Sequence, residues 1–325
     1  MNHFGNKFRI SFYGLSHDEE MGLIIEGVPA GLKLDRMKIE QDLLQRRPDK
    51  TGETSRKEQD LFKITTGLYQ GYATGQAIHI VLANKDIKSD DYVQFKNHPR
   101  PGHADYVANL KYKGFQDPRG GGIFSGRITA LLVIAGSIAK MLVPFSFEHE
   151  VKQIGTLTDL GRQEDYLEQV KSKKDSVGGM VKVRISKMIA GLGDPFFNKL
   201  DSKIAQMLFS IPAIKGVYFG EDLNDVFKNG SEYNDLIVDE SGKTKTNHAG
   251  GIQGGISNGN DVNIQVYFRP PSSIGIEQQT FDFGSKTIKP LRIAGRHDTT
   301  FINRVGIVLE NAVAIVLADF YLNRG

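Results

Sequence analysis

The sequence predicts an α+β fold whose strands pair mainly in the antiparallel sense, and three observations support this prediction. Short segments alternate apolar and polar residues, as half-buried strands of antiparallel sheets do, and they end in glycine or proline turns. Two longer apolar stretches are typical of buried helices. No repeat, low-complexity linker or charged boundary interrupts the chain, so we expect one domain over residues 1–325.

The first predicted strand covers residues 8–13 and runs into the turn at 14–17. His17 therefore stands where a strand ends, a common place for functional side chains. A second strand is predicted at 22–27, followed by a turn at 28–31.

A short helix is predicted after this turn, with Asp35 as its N-cap. Its apolar side is expected to carry Met37, Leu43 and Leu44. The helix should end just before Pro48, because proline disfavours helical backbone in the residue that precedes it.

Residues 49–60 are polar and lack apolar periodicity, which predicts a loop whose cations, Lys50, Arg56 and Lys57, could close over an anion. Further strands are predicted at 77–82, 181–185 and 262–268, and further helices at 128–143, 202–210 and 302–322. The first of the two apolar helices is too short to span a bilayer. The second is interrupted by Arg304, Glu310, Asn311 and Asp319, so we expect both in the core and no membrane partner.

Composition excludes several classes of site. The chain has no cysteine, which rules out disulfides, thiolate catalysis and cysteine-ligated metals, and its histidines are not spaced to hold a metal. Its net charge is only +3 without a basic block, so nucleic acid is not an expected partner, whereas a small anion is compatible. The first residues lack the pattern of a signal peptide, so we expect a cytoplasmic protein.

Seven short segments combine glycine or proline with arginine, histidine or serine. Such segments can build an anion site from loops, because glycine lets backbone N–H groups approach a phosphate, arginine grips it with two donors, and histidine can protonate a leaving oxygen. Each alone is more typical of an ordinary surface turn, but seven in one chain favour a shared site. They are Gly14-Leu15-Ser16-His17, Arg46-Arg47-Pro48, Arg100-Pro101-Gly102-His103-Ala104-Asp105, Arg119-Gly120-Gly121-Gly122-Ile123-Phe124-Ser125-Gly126-Arg127, Asn247-His248-Ala249-Gly250-Gly251, Arg269-Pro270-Pro271-Ser272-Ser273 and Gly295-Arg296-His297-Asp298.

In their order, and over essentially the whole chain, these segments resemble those of the chorismate synthase family. The resemblance implies helices sandwiched between two antiparallel sheets and assembly as a homotetramer. It implies 1,4-elimination of phosphate from 5-enolpyruvylshikimate 3-phosphate, an anionic small-molecule substrate, with reduced FMN required although no net oxidation occurs. A flavin suits this reaction because it can lend an electron to a departing phosphate and recover it when the C–H bond breaks.

Matching the motifs position by position gives each residue an implied role. The implied catalytic residues are His17, His103 and Asp298. The implied substrate-binding residues are Arg46, Arg100, Arg127, Arg296 and His297. The implied FMN-binding residues are Ser125, Ala213, Gly254, Arg269, Pro270, Pro271, Ser272, Ser273 and Arg296. Arg46 also matches an arginine linked to NADPH in some members, while a second falls near Gly52, so the sequence leaves open whether NADPH serves as the reductant.

The chain departs from the family pattern mainly in one flavin- and substrate-facing segment. Ile123 and Phe124 stand where the family has arginine and serine, and Ile128 stands where it has glutamate. Leu15 replaces a glutamate in the first motif. These changes favour an alternative in which the chain is a divergent paralogue that binds a related anion with altered or lost flavin-dependent activity. Retention of the histidines and arginines favours the enzyme.

Overall fold

Two antiparallel sheets enclose a layer of helices in the computed structural model of this chain. The structure describes residues 2–48, 52–53, 59–84, 95–117, 119–293, 295 and 297–324. This architecture confirms both the α+β prediction and the sandwich implied by the family resemblance. Of the predicted loop at 49–60, only residues 52, 53, 59 and 60 are described, so Lys50, Arg56 and Lys57 lie outside the described residues.

The first sheet has five strands in the order β1-β2-β3-β7-β4, and each neighbouring pair is antiparallel. Alternate residues of β3 point into the core, which buries Met21, Leu23 and Ile25 completely. The small hairpin β5–β6 lies between β4 and β7 in sequence. The bounds are β1 His3–Phe4, β2 Arg9–Tyr13, β3 Glu20–Glu26, β4 Phe62–Thr66, β5 Leu68–Tyr69, β6 Tyr72–Ala73 and β7 Ile78–Ala83.

The second sheet has four antiparallel strands in the order β10-β13-β9-β8. Two further hairpins, β11–β12 and β14–β15, stand outside it. The bounds are β8 Ser146–Ile154, β9 Gly179–Ser186, β10 Ile214–Phe219, β11 Ile252–Gln253, β12 Ile256–Ser257, β13 Val262–Phe268, β14 Gln278–Asp282 and β15 Thr287–Leu291.

Helices α3 and α7 form the centre of the sandwich. Helix α3 packs against β3 of the first sheet and against α7, while α7 packs against β8 and β9 of the second sheet. Among the described residues, α7 is the one helix long and apolar enough to cross a membrane, but most of it is buried in this core. The helices are α1 Arg36–Arg46, α2 Asp105–Lys111, α3 Thr129–Lys140, α4 Gln163–Ser172, α5 Leu200–Phe209, α6 Gly230–Tyr233 and α7 Ile302–Leu322.

Helix α1 confirms the predicted cap but corrects the predicted apolar side. The Asp35 carboxylate accepts hydrogen bonds from the backbone N–H groups of the second and third helical residues, at 3.1 and 3.4 Å. The buried residues are Ile39 and Leu43, four apart and therefore on one face. Met37 and Leu44 are exposed, because a separation of seven places them together on another face of the helix.

The three helices α1, α3 and α7 are tied together by buried polar contacts at a close helix crossing. A Cβ atom at Gly136 would lie 2.3 Å from the backbone oxygen of Asn311, so only glycine permits this approach. The buried Asn311 amide donates to the Asp42 carboxylate at 3.1 Å and to the Ile307 carbonyl at 2.8 Å. The Ser137 hydroxyl donates to the same Asp42 carboxylate at 2.7 Å.

A buried carboxylate, Glu310, extends this network to the second sheet. Lys140 on α3 donates to it at 2.7 Å, and Nδ1 of His149 on β8 lies 2.6 Å from its other oxygen. Burial alone would raise the pKa of Glu310, but the contacts with His149 and Lys140 outweigh burial and lower it below its ordinary value. The ionised carboxylate therefore stabilises the folded state at neutral pH.

Acid should remove this stabilisation. Because the folded pKa of Glu310 lies below the ordinary 4.5, its contribution is present above that pH and is lost as the pH falls through the folded pKa. Glu310→Gln should lower the free energy of unfolding at pH 7 by about 3 kcal/mol, since it breaks a buried pair. It should also flatten the acid dependence. Urea unfolding between about pH 7 and 3 measures both effects, and an unchanged acid dependence would contradict the assignment.

Candidate active site

The predicted turn after β2 carries His17 into the interior. Gly14 makes this turn with φ of 77°, and a Cβ atom there would lie 2.6 Å from the Glu20 carbonyl oxygen. His17 is buried, and its Nδ1 lies 3.0 Å from the hydroxyl of the fully buried Ser16. The turn is anchored by the N–H of Leu15, which donates to the Asp18 carboxylate at 2.8 Å. Ser16 is thus a partner that the sequence analysis did not assign.

Arg46 and Arg127, which the sequence analysis assigned to substrate, come together on one carboxylate. Arg46 ends α1 and donates from Nη2 to Oδ2 of Asp60 at 2.8 Å. Arg127 lies just before α3 and donates from Nη1 to Oδ1 of Asp60. Burial would raise the pKa of Asp60, but the two guanidiniums lower it, so the carboxylate remains ionised.

Asn84 joins this arginine cluster to the His17 turn. Its amide oxygen accepts from Nε of Arg127 at 3.2 Å. Its amide nitrogen donates to the carbonyl of Leu15 at 3.2 Å and to the carbonyl of Asp18 at 2.9 Å. The backbone carbonyls on either side of His17 and the guanidinium of Arg127 therefore belong to one hydrogen-bonded unit.

Arg100 and His103 form a second cluster around Asp105, the first residue of α2. Arg100 donates to both oxygens of Asp105 at 2.8 Å, and Nδ1 of His103 lies 2.6 Å from Oδ1. Burial would raise the pKa of Asp105, but the contacts with Arg100 and His103 lower it strongly. Nε2 of His103 would lie 3.4 Å from a Cβ atom at Gly121, so the imidazole packs on the glycine-rich segment.

A cleft of about 320 Å³ opens beside His103. Its walls include Leu15 from the first turn and Ile123 and Phe124 from the glycine-rich segment. Leu15 is more than 100 positions from Ile123 and Phe124 in sequence, and the fold collects these three of the four departures from the family pattern at one place. The cleft is further lined by Phe95, Lys96, Ala104, Asp105, Ala108, Tyr112, Phe115, Gln116, Asp117, Gly121 and Gly122.

His297 and Asp298 lie in the segment that leads into α7. Nε2 of His297 is 3.1 Å from the carbonyl oxygen of Ile293. Arg304, on the first turn of α7, donates to Asp298 at 2.8 Å. Burial lowers the pKa of Arg46 most, and the charges of Arg127 and then of Arg304 lower it further. This segment therefore lies near the first arginine cluster. Arg296 lies outside the described residues.

The residues assigned to FMN fall into three places. Ser125 caps the short 3₁₀ turn that carries Arg127, accepting from its N–H at 3.2 Å. Ala213 has φ of 73° and accepts at 3.0 Å from the N–H of Arg269, at the end of β13. The segment of Arg269, Pro270, Pro271, Ser272 and Ser273 then reaches the second cluster, since Ser272 Cβ would lie 3.5 Å from a Cβ atom at Gly102.

Gly254 lies apart from Ala213 in the single chain. It sits in the β11–β12 turn, and the next residue, Gly255, accepts from the N–H of Leu200 at 2.8 Å at the start of α5. Ala213 follows the other end of this ten-residue helix, which is about 15 Å long. A single ligand touching both positions within one chain would have to span that length.

Comparisons with known proteins agree on one family. A family model described as chorismate synthase matches residues 8–322. A chorismate synthase from Chitinophaga pinensis is 44% identical over 324 residues, with 99% of this chain and 97% of that protein covered. Those from Helicobacter hepaticus and Methanocaldococcus jannaschii are 38% and 35% identical, covering 99% and 100% of this chain and 96% and 97% of the relatives.

A solved structure described as the crystal structure of a chorismate synthase has a similar fold. Its TM-score is 0.76 at 23% identity, with 99% of this chain and 93% of that chain covered. At this identity the likeness concerns the fold alone.

Proposed function

This chain belongs to the chorismate synthase family, and we propose that it converts 5-enolpyruvylshikimate 3-phosphate into chorismate. In this 1,4-elimination the C–O bond to phosphate breaks, a ring proton is lost, and a second ring double bond forms. The products are chorismate and inorganic phosphate, and no net oxidation occurs. The observation that carries the proposal is the convergence of Arg46, Arg127 and the His17 turn on the unit formed by Asp60 and Asn84.

Buried guanidiniums suit a substrate that carries one phosphate and two carboxylates. Arg127 is 6% exposed and Arg100 is 7% exposed, so both would act in a region of low dielectric, where their attraction for an anion is strong. Nε of Arg46 is buried with no hydrogen-bond partner among the described residues. An anionic ligand would satisfy that donor.

His17 would protonate the departing phosphate. As the imidazolium, His17 would donate from Nδ1 to the Ser16 hydroxyl oxygen, 3.0 Å away, and from Nε2 to a phosphate oxygen, which takes that proton and leaves neutral imidazole. Asp298 would assist removal of the ring proton, and Arg304 orients its carboxylate through the 2.8 Å contact. His103, held by Asp105, would face the flavin.

The described residues fit FMN in part. Arg269, Ser272 and Ser273 offer a guanidinium and two hydroxyls to a phosphate, and the segment contacts the turn that carries His103. The apolar walls of the cleft suit a planar ring system. When bound, reduced FMN would supply electron density to the breaking C–O bond. NADPH as the source of electrons stays a prediction. Arg46, the residue that the sequence analysis linked to NADPH, forms an ion pair with Asp60.

A second candidate function is supported by the same cleft. Leu15, Ile123 and Phe124 replace charged and hydroxylated residues of the family pattern, which favours a paralogue that binds a related anion without catalysing the elimination. Conversion of the substrate by the unaltered protein with anaerobically reduced FMN distinguishes the two. Formation of chorismate supports the enzyme, and anion binding without product supports the paralogue.

We further propose that the chain forms a cytoplasmic homotetramer of single-domain subunits, without nucleic-acid partners. Several large apolar side chains are exposed, as expected of surfaces that another chain covers. They include Phe196, Phe197, Phe227 and Ile237. Light scattering at micromolar concentration should give the mass of four chains, and a monomer alone would contradict assembly.

Oxidised FMN should bind weakly alone and more tightly with substrate, because the missing arginine and serine leave the substrate's charges to complete the pocket. Linkage requires FMN to tighten substrate by the same factor. Titration followed by flavin absorbance measures both constants. The double change Ile123→Arg with Phe124→Ser should tighten FMN alone by about tenfold or more, since it restores charged hydrogen bonding. Tight FMN binding that substrate does not alter would contradict this account.

His17→Ala should lower turnover by roughly a hundredfold to ten-thousandfold, the usual contribution of a general acid, with FMN binding nearly unchanged. Anaerobic single-turnover release of phosphate measures the loss, and thermal unfolding of both proteins checks that the fold is intact. His79→Ala is a matched control, because His79 lies on β7 of the same sheet and contacts Tyr13 at 2.8 Å. An unaltered rate in the His17 variant would remove His17 from the mechanism.

A further inference from the structure

Asp60 combines a buried charge with an unfavourable backbone conformation. It comes two residues before β4, and its side chain is completely buried. Its φ of 49° is in the left-handed region, which residues other than glycine rarely adopt. Such a conformation persists only where the surroundings hold it, and strained positions cluster at functional sites.

The surroundings that hold Asp60 are two guanidiniums from distant parts of the chain. Arg46 approaches from the end of α1 and Arg127 from the turn before α3, and each binds a different oxygen of the carboxylate. Both cations are largely buried, with 13% and 4% of their side chains exposed. Two such cations repel each other strongly unless a negative charge lies between them. The carboxylate of Asp60 therefore sets both the spacing and the orientation of the two arginines.

The same carboxylate reaches the His17 turn through one more residue. Arg127, fixed at Nη1 by Asp60, is bound at Nε by Asn84, which in turn holds the carbonyl groups on both sides of His17. A displacement of Arg127 would thus be transmitted to the turn that carries the proton donor. Misplacement by about 1 Å can cost roughly a hundredfold in rate.

We propose that Asp60 is a positioning residue that holds Arg46 and Arg127 at the separation required by a phosphorylated polycarboxylate, and that Asn84 couples them to His17. The identity of that anion rests on the proposed function. The arrangement itself rests on the contacts above, and Asp60 is not expected to touch the reacting atoms.

The test compares Asp60→Asn with Glu310→Gln. Both changes neutralise a buried carboxylate shared by two cationic or basic side chains, but Glu310 binds Lys140 of the helix layer and His149 of the second sheet, away from the candidate site. Both variants should unfold at lower temperature than the unaltered protein. Only Asp60→Asn should weaken the binding of inorganic phosphate, by about tenfold to a hundredfold in calorimetry, and raise KM for the phosphorylated substrate by a similar factor. Glu310→Gln should leave both constants within about twofold.

Two outcomes overturn the proposal. One is an Asp60→Asn protein that is folded and binds phosphate with unchanged affinity and KM, which would make Asp60 a structural residue like Glu310. The other is an unchanged kcat in Asn84→Ala, which would remove the coupling between Arg127 and the His17 turn. This variant can be measured even if Asp60→Asn does not fold. We expect Asn84→Ala to lower kcat by about tenfold while phosphate affinity is retained. If the unaltered protein binds phosphate but forms no chorismate, the proposed function fails while the binding comparison still judges Asp60.

Discussion

One carboxylate shared by two buried guanidiniums underlies the geometry of the site. Asp60 brings together the end of α1 and the start of β4, which are consecutive elements, and the turn before α3, which is distant in sequence. Without that negative charge, Arg46 and Arg127 would repel each other in a region of low dielectric. Because the charge is fixed by the backbone before any ligand arrives, the cost of arranging the arginines is met during folding, which is the basis of preorganised binding.

A second buried network stabilises the scaffold that carries this site. Asp42, Ser137 and Asn311 join α1, α3 and α7, and Glu310 extends the contacts to β8 of the second sheet. The two networks share α1 and the region of α3, so the position of Arg46 depends on helix packing as well as on Asp60. The two networks differ in how their polar groups are paired. In the scaffold network the charged groups pair with one another. In the site, Nε of Arg46 is a buried donor that lacks a partner among the described residues.

The cleft beside His103 collects three residues that depart from the family pattern. Leu15, Ile123 and Phe124 remove charged and hydroxylated groups and replace them with apolar surface on the walls of one cavity. The His103, Arg100 and Asp105 cluster next to it retains its short contacts. A ligand bound there would gain binding free energy from burial of apolar surface and less from charged side chains of the cleft. A charged ligand bound beside it would then have a larger effect on its affinity.

The sequence by itself determined the elements that local periodicity encodes: the strand before His17, the Asp35 cap, β13 and the full extent of α7. It also carried the ordered motifs of the family. It did not predict β4, β8, β10 or the hairpin β14–β15, and it placed Met37 and Leu44 on the wrong face of α1. Only the tertiary structure decided which side chains are partners at the site, and that Leu15 and Phe124 line one cleft. The partners are Asp60, Asn84, Ser16 and Arg304. A single acid in a polar segment carries no periodic signal, and its partner is selected by packing across tens of residues, which neighbouring sequence does not encode.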